Sequence, residues 1–325
     1  MNKGSILIIT LWILAILAIL SIGIGGRMGL ELKLTGFNRD STAALYLAKA
    51  GVERAISVIL SKNDHTVDSL NEAWSCNNED ANPLFKEVKI GAAGYFTVSY
   101  PFYNKRVFFG SQDEEGRINI NNAPRDVIAR LISSIDPTVA GTDEIAANIE
   151  DWRDQDAVRQ DGSPEYDYTE EGYKRKDAFF DSVDEVLLVK GVDRGLFDKI
   201  KGYITVYPVT NSGCQVNINT APLPVLEALG FSAEQAGSII SARAGPDGLD
   251  GTKDDVPFIN KDAFTAYLVN TGMSLTPPAN IGLVSCGSNF FRIESKGYAS
   301  SGRVVKTVTC VISVTDGSIL YWNEE

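Results

Sequence analysis

The sequence predicts an α+β protein: a long N-terminal helix packed on an antiparallel sheet, with a large, mostly α-helical domain inserted into that sheet. Three observations carry this expectation. No proline precedes Pro83, and the first sixty residues hold apolar positions at helical spacing. Two segments rich in β-branched and aromatic residues, around 94–111 and from 290 onward, read as strands. Between them, 120–280 is helical in pattern and contains an internal repeat. The expected parts are a leader at 1–4, a membrane-crossing segment at 5–26, a helix with the first strands at 27–119, the inserted α domain at 120–280, and closing strands at 281–325.

The first element is the opening run, MNKGSILIITLWILAILAIL. From Ser5 to Gly26 there is no charge, and at ~1.5 Å per residue this run reaches about 33 Å as a helix, enough to span a bilayer. No A-x-A cleavage pattern follows it, so a leader cut before the apolar run, between Gly4 and Ser5, competes with a plain signal anchor. Arg27, Lys33 and Arg39 follow the span and only Lys3 precedes it, which runs against the positive-inside tendency. The helix then continues as an amphipathic stretch. Leu45, Ala48, Val52, Ala55 and Ile59 form an apolar stripe, with Tyr46, Lys49, Glu53 and Arg54 on the other side. That stripe is expected to lie on the domain core and also to pair laterally with partner subunits. Glycines at 23, 25, 26, 29 and 36 predict a soft middle, with a fresh helix start capped by Asp40 or Ser41.

Strands are expected at 94–102 and 105–111, and the tail predicts two or three antiparallel strands turning at SSGR and TDGS. Within the insert, RININNAPRDVIARL (117–131) and QVNINTAPLPVLEAL (215–229) share Asn-Ile-Asn-x-Ala-Pro followed by an apolar helix face. Pro124 and Pro222 suit a first helical turn. Each copy ends on a second helix, with Ala146, Ile149 and Arg153 in the first and Ala236, Ile239 and Arg243 in the second. A third hairpin, 182–207, is predicted to open with a capping box of Ser182 and Glu185.

Composition excludes several function classes. With 30 basic against 42 acidic residues, the net charge of −12 opposes phosphate binding. The hairpins resemble the helix-hairpin-helix unit of DNA-binding proteins, but their acidic surroundings and scarce turn glycines predict no nucleic-acid partner. Four cysteines (Cys76, Cys214, Cys286, Cys310) form no CxxC pair and the only histidine is His65, so a zinc site is not expected. Outside the cytoplasm one or two disulfides become plausible, with three full pairings open. No Walker or dinucleotide loop occurs, and a Ser-His-Asp or Cys-His arrangement could use only His65, so the chain reads as a non-enzyme.

Taken in order, the Gly-ended leader, LWILAILAIL, YLAKAGVERA, EEGRININNAP, DWRDQD, DSVDEVLLVKGV, VNINTAP and the stranded tail resemble the minor pseudopilin K family of the type II secretion system over nearly the whole chain. The resemblance implies a pilin-like fold for the helix and sheet, cleavage by a prepilin peptidase at Gly4–Ser5 and N-methylation of Ser5. It implies a single pass through the inner membrane lipid with the C-terminal domain in the periplasm. Its partners would be the minor pseudopilins I and J at the pseudopilus tip, the other pseudopilins and the inner-membrane assembly platform. Pilins carry Glu at the fifth mature position. Here that place is Ile9, an absence the resemblance assigns to family K. Calcium in the inserted domain is also implied. Two acidic stretches offer oxygen ligands. The stronger is the glycine-broken loop with Asp247, Asp250, Asp254 and Asp255; the more diffuse one has Asp151, Asp154, Asp156, Asp161 and Glu165. The alternatives are a minor pilin of a type IV pilus or DNA-uptake system, or a membrane-anchored helix-hairpin-helix DNA receptor.

Overall fold

The structure, a computed structural model, describes residues 3–75, 83–102, 106–156, 158–159, 162–210, 213–273 and 280–325. Helix α1 runs unbroken over Lys3–Leu60. The expected fresh start at Asp40 or Ser41 does not occur. Each interior glycine weakens a helix by only about 1 kcal/mol, and an apolar segment has no better way to satisfy its backbone. Asp40 instead pairs with the neighbouring Arg39 on the surface. From Ile6 to Phe37 the large apolar side chains are half to three-quarters exposed, and this part is long and apolar enough to cross a membrane.

The other end of α1 lies on a sheet. Strands β1 (Val88–Ile90), β2 (Gly94–Val98), β3 (Tyr100–Pro101), β4 (Val107–Phe108) and β5 (Gln112–Asp113) precede the insert. The expected strand at 94–102 is interrupted because Pro101 has no N–H for a ladder, so β3 turns away to pair only with β4. The insert holds β6 (Ile118–Asn119), α2 (Arg125–Ile135), α3 (Thr142–Arg153), α4 (Arg194–Ile200), β7 (Ile204–Thr205), β8 (Val216–Asn217), α5 (Leu223–Ala228), α6 (Ala233–Arg243), α7 (Lys261–Asn270) and β9 (Val284–Ser285). After it come β10 (Phe290–Ala299), β11 (Val305–Ser313) and β12 (Ile319–Glu324). The antiparallel order is β1-β2-β10-β11-β12, with β5 also pairing β10, so the strands beside β10 come from both sides of the insert. The tail turns fall at the two predicted places.

The stripe on α1 is a correction to one expectation. Ala48, Val52, Ala55 and Ile59 are wholly buried and Leu45 is half-buried, packed on Phe96, Ile293, Val308, Cys310 and Ile312 of the chain's own sheet. The four wholly buried residues cannot also form a partner face. The helix sits so close that a Cβ on Gly297 would lie 2.0 Å from the Ala44 carbonyl oxygen and 2.4 Å from the Ala48 nitrogen. Only glycine fits there.

The insert has its own core, joining Ile118, Val127, Ile149, Trp152, Phe180, Phe197, Val216, Leu226, Ile239 and Phe264 among others. Residues 183–188 form a 3-10 turn rather than a capped helix, and Ser182 makes no cap bond. Glu185 reaches past it to the Asp181 N–H (3.0 Å) and Lys176 (2.8 Å). A full capping box is formed instead at α6, by Ser232 and Gln235.

Candidate functional site

The insert is two copies of one unit, and the Asn-Ile-Asn-x-Ala-Pro motif explains how each is closed. The first asparagine of each copy folds its Oδ1 back to accept from the N–H two residues on, Asn119 to Asn121 (2.9 Å) and Asn217 to Asn219 (3.0 Å). The second asparagine reaches across the unit. Asn121 accepts from the Phe180 N–H (2.7 Å) and donates to the carbonyls of Phe180 and Val206, while Asn219 accepts from the Phe258 N–H (2.8 Å) and donates to those of Phe258 and Cys286. Each unit then closes with a short parallel pair, β6 with β7 and β8 with β9.

An arginine at the end of the second helix clamps the motif from behind. Arg153 donates to the carbonyls of Ile120 and Ala123, and Arg243 to those of Ile218 (2.7 Å) and Ala221 (2.8 Å). The two acidic stretches lie at these two arginines, the first from Asp151 just before Arg153 and the second from Asp247 just after Arg243, so they occupy similar places in the repeat. Their chemistry differs.

In the second copy the carboxylates are already engaged. Asp250 forms a bidentate pair with Arg243 (3.0 and 2.9 Å). Asp247 accepts from the Leu249 N–H, Asp254 from the Asp247 N–H and Thr252 Oγ1, and Asp255 from the N–H groups of Gly251 and Thr252. The Thr252 hydroxyl lowers the Asp254 carboxyl below its ordinary range, and burial raises that of Asp255.

In the first copy three carboxylates converge instead. Asp151, Asp154 and Glu165 place ligand oxygens within 4.8 Å of one another. Asp151 is buried and accepts from Arg159 Nε (2.8 Å). Among the described residues, Asp154 Oδ1 is buried with no hydrogen-bond donor, and Glu165 has none apart from the Arg175 guanidinium paired with it. Burial first, and then the charges of Asp156 and Asp151, push Asp154 up to about 6. Asp156 lies at the edge and accepts from the Val158 N–H, and Asp161 lies outside the described residues. Buried acceptor-only oxygens crowded in this way suit a hard divalent cation. The sequence pattern ranked the two stretches the other way, because glycine-broken loops look open until their internal bonds are seen.

Two family models match the chain, each described as type II secretion system protein K, over residues 109–209 and 216–283. The matches coincide with the two units and together cover just over half of the chain. The chain belongs to the type II secretion system protein K family. Among solved structures, the chain is similar to one in the GspK-GspI-GspJ complex of the enterotoxigenic Escherichia coli type 2 secretion system. The identity is 18%, the TM-score 0.66, and the match covers 90% of this chain and 99% of that one. No curated protein sequence matched the chain.

The remaining sites predicted for this family member fall as follows. Gly4 and Ser5 lie in the first turn of α1. Cys214, Cys286 and Cys310 are buried free thiols, each raised to about 11 or 12 chiefly by burial, and Cys76 lies outside the described residues. Each of the three pairings that use all four cysteines joins two of these three, and since all three are free none of those pairings is present; Cys310 belongs to the helix-and-sheet core and the other two to the insert core. His65 bonds Asp68 through Nδ1 (2.9 Å), while its Nε2 has no hydrogen-bond partner among the described residues. A group the sequence reading passed over is the acidic run Asp113-Glu114-Glu115, which is buried where the insert joins the sheet.

Proposed function

We propose that this protein K family member is the tip subunit of a pseudopilus, assembling there with minor pseudopilins I and J and helping to start filament assembly for export of folded proteins across the outer membrane. The observation that carries this is the pairing of a pilin-like helix and sheet with an insert matched along both units by the family models. The likeness to a chain of a GspK-GspI-GspJ complex supports the choice of partners. Bulk supports the position: an insert of this size on a pilin-sized support would collide with a copy stacked above it. On this reading prepilin peptidase cuts between Gly4 and Ser5 and Ser5 is N-methylated. The apolar part of α1 sits in the inner membrane with the rest in the periplasm. The secretion role is preferred over the type IV pilus and DNA-receptor alternatives because of the family of the insert and the acidity of its surface.

Calcium belongs to the same proposal. Asp151, Asp154 and Glu165 would hold the ion, which would supply positive charge to the buried Asp154 oxygen and share Glu165 with Arg175. The cation would join the end of α3 to the loop at 162–166, and its part is structural.

Co-expression with I and J of the same system, followed by purification through a tag on this chain, tests the partner assignment. A stable complex containing one copy of each subunit is expected. Long homotypic assemblies of this chain with neither partner would overturn the tip reading.

A further inference from the structure

The insert is joined to the sheet by two crossings, 114–117 and 286–289, and beneath them lies a buried acidic cluster unrelated to the metal candidates. Asp68, Asp113 and Glu115 are 0%, 4% and 6% exposed. Asp113 Oδ2 accepts from Ser288 Oγ (2.6 Å), Thr220 Oγ1 (2.5 Å) and Asn217 Nδ2 (2.9 Å), and its Oδ1 accepts from the Glu115 N–H (2.8 Å). Asp68 Oδ2 accepts from the Ser288 N–H, and its Oδ1 from Lys62 and His65. Three segments distant in sequence therefore meet on these acids: the loop after α1, the second Asn-Ile-Asn motif and the return crossing.

The cations nearby are committed elsewhere. Lys62 serves Asp68 and Glu72, while Arg117 and Arg292 both face Glu114. Asp113 and Glu115 are met by neutral donors. Asp113 has four of them, enough to hold a carboxylate in a buried place. Glu115 is met among the described residues by Asn289 alone, whose N–H lies at 2.5 Å and whose side chain also bonds it. Two such groups this close do not both ionise in a dry seam.

We propose that Glu115 holds a proton at neutral pH, and that losing it loosens the inserted domain from the pilin-like sheet. This goes beyond the secretion role and does not depend on it. Burial, and then the Asp113 carboxylate, push Glu115 up to about 8, while Asp113 is raised to about 6, chiefly by burial. A second charge in the seam has to be hydrated to exist. Full hydration of the Glu115 carboxyl parts 113–117 from 215–220 and 286–290, because the Glu115 carbonyl accepts the Asn217 N–H (2.7 Å) and its carboxyl the Asn289 N–H. The direction follows: a carboxyl raised in the folded state favours folding at low pH, and that advantage is lost as pH rises through the folded value.

The experiment is amide hydrogen exchange of the full chain in detergent between pH 6 and pH 9, corrected for intrinsic rate, with the amides of α5 as internal reference. Protection across 113–119 and 284–290 should fall relative to α5 by up to tenfold for each pH unit from pH 6 towards the Glu115 value, and level off above it. Glu115→Gln, which keeps an acceptor for Asn289, should flatten the profile. His65→Gln should leave it unchanged, which separates the cluster from the neighbouring imidazole. If Glu115→Gln does not fold, infrared spectroscopy of the wild-type chain should show a protonated carboxyl at pH 7 that disappears by pH 9. Seam protection that tracks α5 at every pH, or the absence of that carboxyl band, overturns the proposal.

Discussion

The two arginine clamps invite a comparison inside one molecule. Arg243→Met removes a guanidinium that is 2% exposed and makes four bonds, two to carbonyls and two to Asp250. Asp250, itself only 9% exposed, is left as a buried charge. Breaking a buried ion pair from one side costs about 3–5 kcal/mol, and each carbonyl left without a donor adds about 1 kcal/mol. Arg153→Met loses the same two carbonyl contacts, but Arg153 has no bidentate carboxylate partner among the described residues, so about 2–3 kcal/mol is expected. The double variant Arg243→Met/Asp250→Leu should recover about 3 kcal/mol, because a buried pair replaced by apolar groups is close to neutral. Urea unfolding of the full chain in detergent, followed by near-ultraviolet circular dichroism, measures all three. Equal losses for the two single variants, or a double variant no better than Arg243→Met, would refute the assignment of the extra stability to the Arg243–Asp250 pair.

Three further outcomes are expected. Mass spectrometry of the chain from its native host should show Ser5 as the first residue and carrying a methyl group, whereas an intact Met1 would refute the leader reading. Ca²⁺ should raise the melting temperature, the gain being about 2.7 kcal/mol at a hundredfold excess over its dissociation constant. Asp154→Asn/Glu165→Gln should abolish that gain and Asp247→Asn should not, and a melting temperature indifferent to chelator would remove calcium from the account. Gly297→Ala should cost about 2–3 kcal/mol, since the added methyl meets helix backbone that cannot swing aside. Gly237→Ala, in α6 with nothing within 4 Å of the new methyl, should instead gain about 0.5–1 kcal/mol, and similar values for the two would refute the close-approach argument.

What the sequence made legible was what is local. The apolar run, the tail strands and the Asn-Ile-Asn-x-Ala-Pro repeat are written in neighbouring residues, and so is the period that places Ala48, Val52, Ala55 and Ile59 on one side of α1. The same period cannot say what covers that side. A stripe facing the chain's own sheet and a stripe facing another subunit have the same spacing, and the partner assignment failed there. The acidic loops show the converse. Asp250 reads as a free ligand until Arg243, seven positions earlier, is seen turned back onto it, while the acceptor-only oxygens of Asp154 and Glu165 are recognised only once burial is known. The junction cluster was the least legible. Its bonds join Asp68 to Ser288 across 220 positions and Asp113 to Ser288 across 175. In sequence, Asp113-Glu114-Glu115 resembles any solvated acidic run. In the fold, Glu114 is neutralised by two arginines, Asp113 is solvated by neutral groups of four residues, and Glu115 is met by Asn289 alone among the described residues. Three adjacent acids thus meet three different environments, and the one with the fewest donors is where the proton belongs.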